Sequence, residues 1–482
     1  AARRDGGRVR AAARSGLAVG LCGGINGTAT VAVLTVPFLF LLTRPRGAHR
    51  FRLLGWWTAA VACAVGWWLV PLVLTGRYGF SWLGYTEQAD TTTATTGLVD
   101  VLRGTERWIN YLPQALPVGD ALAGRAWLVV VTAVLAALGL AGLVRRDLPG
   151  RTFPLLVLLG GVAVVAAGHA SRIEGPLAPH LRDLLDGPLA PLRNLYKFDG
   201  MVRLPLALGI AHLPGTLRER RLRLGVFAAA GATLFAVATP AMASGLAAPG
   251  GFPDVPRYWR DAASWLNTRA GEQSVLALPG SRTGDYTWGR PMDDVVQPLL
   301  RTRWGARQMV PQGSPGYARL LDAIDQRVTA GRGSAGLAEV LARSGVRYLL
   351  VRNDLARGDL LGAWPARVHQ ALDGSPGVKR VAAFGFQPGG WGDDAVGSRD
   401  QPYPAVEIYQ VGGARQAAAL VDADGALRLR GGPEGLLDLA DAGALKDRPV
   451  LVGDDASDLG GTPVASDAAR LRTRSRISDR DR

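Results

Sequence analysis

The sequence predicts a polytopic α-helical membrane domain followed by an extracytoplasmic α/β domain. Apolar runs long enough to cross a bilayer, roughly 17–25 residues, occur only in the first half of the chain. Strand-like and helix-like patterns alternate through the second half, which is typical of an α/β domain. We therefore divide the chain into 1–245, 252–412 and 413–482, the last being the fragmentary start of a further extracytoplasmic region.

The composition favours a membrane protein over a nucleic-acid-binding protein. Hydrophobic residues make up 48% of the 482 residues, the mean hydropathy is +0.12 and the formal net charge is +15. Such a charge is typical of nucleic-acid binding, but here arginines cluster in short connections between apolar runs. Because basic connections orient helices in a membrane, we expect membrane lipids as partners and no nucleic acid.

About six membrane segments are expected in the first domain. A sixth segment, 201–213, is short and needs the preceding turn at 194–200 to reach full length. The five longer apolar stretches are 16–42, 53–75, 126–144, 153–170 and 224–242.

The charges of the connections predict the orientation. Segments 43–52, 145–152 and 218–223 are rich in arginine, whereas the long loops 76–125 and 171–199 mix both signs. The positive-inside rule therefore predicts a multi-pass plasma-membrane protein whose long loops and C-terminal half are extracytoplasmic.

The arginines of the first fifteen residues conflict with this orientation if 16–42 crosses the membrane once. Either an interfacial helix precedes the span, or the glycine-rich segment 23–27 breaks the stretch into a re-entrant hairpin. We favour the interfacial helix. The arginines concerned are Arg3, Arg4, Arg8, Arg10 and Arg14.

A charged junction precedes the short apolar segment 201–213. It holds Asp186, Arg193, Lys197, Asp199 and Arg203. Charges at the start of an apolar helix are costly unless they are paired or reach water, so the junction is either an ion-paired anchor or a binding site. The chain has only three lysines among 55 basic residues, which favours a specific use for Lys197.

The long loop 76–125 carries rings and charges, including Arg77, Tyr85 and Glu87. Aromatic residues gather at membrane interfaces, and this interpretation is preferred for any single ring. Rings beside carboxylates would also suit a sugar, since a ring covers its apolar face and a carboxylate accepts from its hydroxyl groups.

The second half predicts strands and helices without a nucleotide-binding or hydrolase motif. GxGxxG, Walker A and GxSxG patterns are absent, and two cysteines and five scattered histidines offer neither a disulfide framework nor a metal site. We expect strands at 275–278, 347–352, 378–384, 405–411 and 449–452, and helices at 256–268, 316–329, 336–344, 363–372 and 436–442.

Four stretches resemble a known family. They are PLAPLRNLYKFDGMVRLPLALGIAHL (188–213), LVDVLRGTERWINYL (98–112), LARSGVRYLLVRNDL (341–355) and GGPEGLLDLADAG (431–443). Together they resemble the actinobacterial α-(1→3)-arabinofuranosyltransferases, large multispanning glycosyltransferases of the GT-C type. The resemblance covers most of residues 15–455, and the first stretch is the most specific.

The resemblance implies a reaction and a missing part. Such enzymes transfer arabinofuranose from a decaprenyl-phosphate donor to a cell-wall arabinan acceptor, with no nucleotide sugar and no cofactor. A carboxylate in the first extracytoplasmic loop typically acts as the base. This sequence lacks that loop, so we expect an internal fragment without the catalytic carboxylate, and the catalytic residue stays unknown.

The resemblance also suggests roles for the junction. Arg193, Lys197 and Arg203 would bind the donor phosphate, while Asp199, Glu87, Tyr85 and Arg77 would bind or orient a sugar. The alternative for the junction is an Asp199–Arg203 ion pair that only fixes the start of the helix. The alternative for the function is a non-catalytic membrane scaffold or a polyprenyl-lipid transporter. The near absence of charge within the spans favours an enzyme with its site at the outer surface.

Overall fold

The computed structural model describes residues 2–43, 47–79, 83–112, 115–172, 174–310, 313–356, 363–385, 403–413, 425–445, 448–452 and 462–465. The chain forms two compact units, Ala1–Pro249 and Gly250–Arg482, which are described separately below. The finer division predicted at residue 412 stays a prediction.

The first unit is helical. Among the described residues, three helices are long and apolar enough to cross a membrane: Ala48–Tyr78, Ala126–Leu143 and Arg220–Ala243. Two shorter apolar helices accompany them, Gly27–Thr43 and Thr152–Ala166. The helices are α1 Ala2–Gly23, α2 Gly27–Thr43, α3 Ala48–Tyr78, α4 Ala89–Thr93, α5 Leu98–Arg103, α6 Pro117–Gly124, α7 Ala126–Leu143, α8 Thr152–Ala166, α9 Ala178–Asp186, α10 Gly200–His212 and α11 Arg220–Pro240.

Helices α1 and α2 form a hairpin, so the preferred interpretation of residues 16–42 is wrong. Gly24 takes a left-handed conformation (φ 56°) that ends α1, and the side chain of Asn26 accepts from the backbone N–H of Ala29 at the start of α2. Ala12 and Leu41 lie in one apolar cluster, so α2 returns along α1.

The hairpin also resolves the charge conflict. The arginine-rich start of α1 lies at the same end as the start of α3, which carries Arg50 and Arg52, because Gly16 and Gly20 of α1 follow Ala60 and Ala64 of α3 in the same direction. One side of a membrane can therefore hold both, as the positive-inside rule requires. Helix α1 runs parallel to α3, because Gly16 lies against Ala60 and Gly20 against Ala64.

Close helix packing fixes α10 at the centre of the first unit. A Cβ atom on Gly142 of α7 would lie 1.9 Å from the carbonyl oxygen of Gly209 in α10, and one on Gly161 of α8 would lie 2.7 Å from Cβ of Met201. Glycines allow this approach because they leave the two backbones in contact. Helix α10 therefore has a fixed position, and so does the charged junction that precedes it.

The second unit contains a five-stranded mixed sheet in the order β4-β1-β5-β7-β6. Strand β1 pairs in parallel with β4 and β5, while β7 pairs antiparallel with β5 and β6. The described strands of the whole unit, five of which form this sheet, are β1 Ser274–Leu278, β2 Gly284–Tyr286, β3 Gly289–Met292, β4 Trp304–Ala306, β5 Val346–Arg352, β6 Val378–Phe384, β7 Val406–Val411, β8 Leu427–Arg430, β9 Val450–Val452 and β10 Thr462–Ala465.

Helices pack on both faces of this sheet. The helices of this unit are α12 Arg257–Arg269, α13 Val296–Leu299, α14 Pro315–Thr329, α15 Leu337–Arg343, α16 Pro365–Asp373 and α17 Gly435–Asp441. The predicted strands and helices of the second half are confirmed at these positions. The short strands β2, β3, β4, β8 and β10 and the single-turn helix α13 were not predicted, since such short elements show no periodicity.

Alternate strand residues face opposite sides of the sheet. Leu276, Leu349 and Val351 pack with α14 to α17, whereas Val275, Tyr348 and Leu350 pack with α12. Leu427, Leu437 and Leu445, which the sequence assigns to a further region, join the first of these two clusters.

Candidate functional site

Two short 3-10 turns lead the chain into α10 and build the charged junction. They are Ala190–Leu192 and Leu195–Asp199. The prolines of the segment DGPLAPLRN prevent a regular helix here, since proline has no N–H to donate within one. The short turns bring several side chains of the junction against the loop 83–112, whose own structure is 3-10 turns and short helices.

Arg193 is buried and joins the charged junction to the loop 83–112. Its guanidinium donates to the carbonyl oxygens of Leu185, at 3.2 Å, and Glu87, and lies 3.3 Å from the carboxylate of Asp186. Its side chain is only 6% exposed. Most of its donors are therefore used by the protein itself.

Glu87 and Lys197 lie in a second polar group. The Glu87 carboxylate accepts from the Asn194 amide at 2.6 Å, and the same amide's oxygen accepts from the Trp108 indole at 3.0 Å. The Lys197 ammonium donates to Asn26 in the turn of the α1–α2 hairpin, at 3.0 Å.

Lys197 differs from the two arginines in its partners. Within the described part of the chain, no carboxylate lies within ion-pair distance of its ammonium group. Burial lowers the pKa of Lys197, the nearby Glu87 carboxylate raises it, and the Arg107 cation lowers it further. The half-buried ammonium therefore has an unfavourable environment that an anion would improve.

Asp199 and Arg203 form the ion pair that their spacing predicts. The guanidinium of Arg203 donates to the Asp199 carboxylate at 2.7 Å and also to the carbonyl oxygens of Leu102, at 2.7 Å, and Val101. Arg203 thereby joins the first turn of α10 to the end of α5. Both interpretations of the junction, anchor and site, contain this pair.

Glu106 is the member of this group that the sequence analysis missed. Its side chain is 4% exposed and lies 4.0 Å from the Arg203 guanidinium, and its Oε2 atom has no hydrogen-bond partner in the described structure. Burial and the negative charge of Asp199 raise the pKa of Glu106 to about 8, against the opposing effect of Arg203. The polar GTER insertion at 104–107 was the available signal.

The raised pKa of Glu106 predicts a pH-dependent stability. Between about pH 4.5 and 8 the folded protein keeps a proton that the unfolded chain has released. The free energy of unfolding should therefore fall as pH rises through this window and level off above it. The melting temperature of the Glu106→Gln variant minus that of wild type should therefore increase from pH 5 to pH 8. A constant difference would contradict the prediction.

Arg77 and Tyr85 are the remaining predicted site residues. Arg77 is at the C-terminal end of α3, where its guanidinium lies 5.6 Å from the ring centre of Tyr78. Tyr85 ends the 3-10 turn Leu83–Tyr85 and is 37% exposed. Within the described residues, no group of three or more His, Cys, Asp or Glu side chains could hold a metal ion.

Comparison with solved structures places the fold. A single-particle cryo-EM structure of arabinofuranosyltransferase AftD from mycobacteria matches 95% of this chain and 32% of its own, with a TM-score of 0.73 and 32% identity. A structure of its R1389S mutant matches with a TM-score of 0.74 and 31% identity, covering 95% of this chain and 34% of that one. With its apolar helices and polar junction, the chain is thus a membrane-spanning protein of the GT-C glycosyltransferase class.

The family follows from sequence. The family model described as "Alpha-(1->3)-arabinofuranosyltransferase, N-terminal GT-C domain" matches residues 1–479, and the chain belongs to this family. The alpha-(1->3)-arabinofuranosyltransferase of Mycolicibacterium smegmatis is 36% identical over 472 residues, covering 91% of this chain and 33% of the relative. That of Mycobacterium tuberculosis is 35% identical over 478 residues, covering 93% and 34%.

The resemblance drawn from the four sequence stretches is therefore confirmed. The chain spans about a third of the length of the curated relatives it matches.

Proposed function

We propose that this chain forms part of a membrane glycosyltransferase that moves arabinofuranose from a decaprenyl-phosphate donor to a cell-wall arabinan acceptor. One observation carries the proposal. In the described structure, Lys197 is a half-buried cation without a carboxylate partner, placed where the charged junction meets an apolar helix. A lipid-linked phosphate has its charge at the same kind of boundary between polar and apolar surroundings.

The donor phosphate needs positive charge because it becomes the leaving group. Lys197 would bind it directly, since the one described hydrogen bond of its ammonium leaves further donors. Arg193 and Arg203 would raise the local positive potential while their own donors hold the loops in place. In this arrangement the three cations share one anionic ligand but have different tasks.

The sugar of the donor would lie near the carboxylates of the junction. Asp199 and Glu87 would accept from its hydroxyl groups, and the exposed ring of Tyr85 and the guanidinium of Arg77, at the end of α3, would contact it. We place these loops and the second unit on the extracytoplasmic side. The hairpin supports this orientation because it leaves the arginine-rich starts of α1 and α3 on one side.

The proposal is tested with the full-length protein that carries this segment, in lipid nanodiscs. A polyprenyl-phosphate donor with radiolabelled arabinofuranose should transfer its label to an arabinan oligosaccharide and release one polyprenyl phosphate per sugar transferred. A nucleotide-linked arabinose serves as the control and should not react. Movement of the intact donor across the bilayer without release of polyprenyl phosphate would instead identify a transporter, and binding without either event would identify a scaffold.

A further inference from the structure

A cavity in the second unit lies apart in sequence from the charged junction. Its volume is about 390 Å³, and its wall is formed by the β2–β3 hairpin, by Gly250 and Gly251, and by Ala356. The hairpin and the glycine segment are joined by a backbone hydrogen bond of 2.8 Å from Arg290 to Gly250. This volume falls within the range of small-molecule sites, roughly 300–1,000 Å³.

The cavity has a rigid aromatic wall. The indole of Trp288 stacks on the ring of Tyr286, with centres 5.0 Å apart and planes at 13°, and forms a T-shaped pair with Phe252, with centres 5.1 Å apart. The indole N–H of Trp288 donates to the buried carboxylate of Asp354 at 3.0 Å. Because these contacts fix the indole before any ligand arrives, binding against it would cost little ordering entropy.

Among the described residues, the charged groups of the wall are Asp285 and Arg290. Arg290 donates to Oδ2 of Asp285 through two nitrogens, at 2.8 and 3.0 Å. The Oδ1 atom of Asp285 is buried and has no hydrogen-bond partner among the described residues. An acceptor left in this state is costly unless a bound hydroxyl group or water donates to it.

At Gly250 and Gly251 the cavity wall is formed by backbone alone, without a side chain. A Cβ atom on Gly251 would meet nothing within 4 Å, and this residue does not need a left-handed conformation. A larger side chain at Gly251 would therefore enter open space beside the cavity without straining the chain.

We propose that this cavity binds one sugar unit of a neutral glycan, and that the glycan is the acceptor. An aromatic wall beside hydroxyl-binding groups suits a saccharide. The neutral Asp285–Arg290 pair does not suit the donor, whose phosphate brings negative charge. The choice of arabinofuranose as the sugar rests on the proposed function above, while the assignment of a neutral saccharide rests on the cavity.

Binding is measured with the whole 482-residue chain in nanodiscs. An α-(1→3)-linked arabinofuranosyl oligosaccharide is titrated into wild type, Gly251→Leu and Gly425→Leu by saturation-transfer NMR. Gly425 is the matched control, because a Cβ atom there also meets nothing within 4 Å. We expect Gly251→Leu to weaken binding at least tenfold and Gly425→Leu to change it less than twofold.

Three outcomes would overturn the inference. They are unchanged binding in Gly251→Leu, equal losses in both variants, and competition by inorganic phosphate, which would indicate an anion site. Transfer assays on the full-length protein separate this inference from the proposed function. If transfer occurs while Gly251→Leu binds the oligosaccharide normally, only the cavity assignment fails. If saccharide binding depends on the cavity but no transfer occurs, only the proposed function fails.

Discussion

Lys197→Ala is expected to weaken use of the donor roughly ten- to a hundredfold while the protein still inserts and folds. A hydrogen bond to a charged group contributes about 1.5–3 kcal/mol, and a tenfold change in affinity corresponds to about 1.4 kcal/mol. In the described structure Lys197 holds no ion pair whose loss would leave a carboxylate unpaired. The measurement is the donor concentration dependence of arabinose transfer by the full-length protein.

Three variants separate a phosphate contact from an anchor. Lys379→Ala, at an exposed position of β6, is the control for loss of a lysine and should leave donor use unchanged. Lys197→Arg should recover only part of the activity, because a planar fork replaces a compact ammonium. Asn26→Asp keeps a good helix cap but gives Lys197 a carboxylate partner, so it should weaken donor use without loss of stability.

Asp199→Asn distinguishes the two interpretations of the junction. An anchor that depends on the pair with Arg203 should lose thermal stability, whereas a site should lose turnover with its melting temperature retained. Normal donor kinetics in Lys197→Ala would remove the phosphate assignment and leave the anchor.

Gly142→Ala is expected to prevent stable assembly of the membrane unit. The added Cβ atom would lie 1.9 Å from the carbonyl oxygen of Gly209, and a backbone atom cannot rotate away as a side chain can. Overpacking typically costs about 1–3 kcal/mol, and occasionally more, and a backbone clash of this depth should exceed that range. Thermal unfolding in detergent, followed by circular dichroism, measures the loss.

Gly231→Ala is the matched control for this prediction. Gly231 lies in the apolar helix α11, and a Cβ atom there would meet nothing within 4 Å. This variant should be as stable as wild type or slightly more stable, because alanine favours a helix over glycine by roughly 0.5–1 kcal/mol. Equal melting temperatures for the two variants would show that α7 and α10 do not approach as closely as described.

The sequence by itself determined the elements whose signals are local. Apolar length and the positions of arginine identified the membrane half, and short apolar runs located β1, β5, β6 and β7 within a residue or so. The i to i+4 spacing of Asp199 and Arg203 predicted their pair. Four stretches of unusual residues were enough to indicate the family. Each of these signals lies within a few turns of the chain, where spacing and hydropathy decide the structure.

Only the tertiary structure decided what depends on distant neighbours. The burial of Glu106 results from its approach to Asp199 and Arg203, almost a hundred residues away. The same applies to Arg193, whose donors meet the carbonyl oxygen of Glu87 instead of open solvent. The return of α2 along α1 is seen in the apolar cluster that both helices share with α3. Desolvation and the pairing of charges depend on the whole surroundings of a group, and a sequence pattern records only its neighbours along the chain.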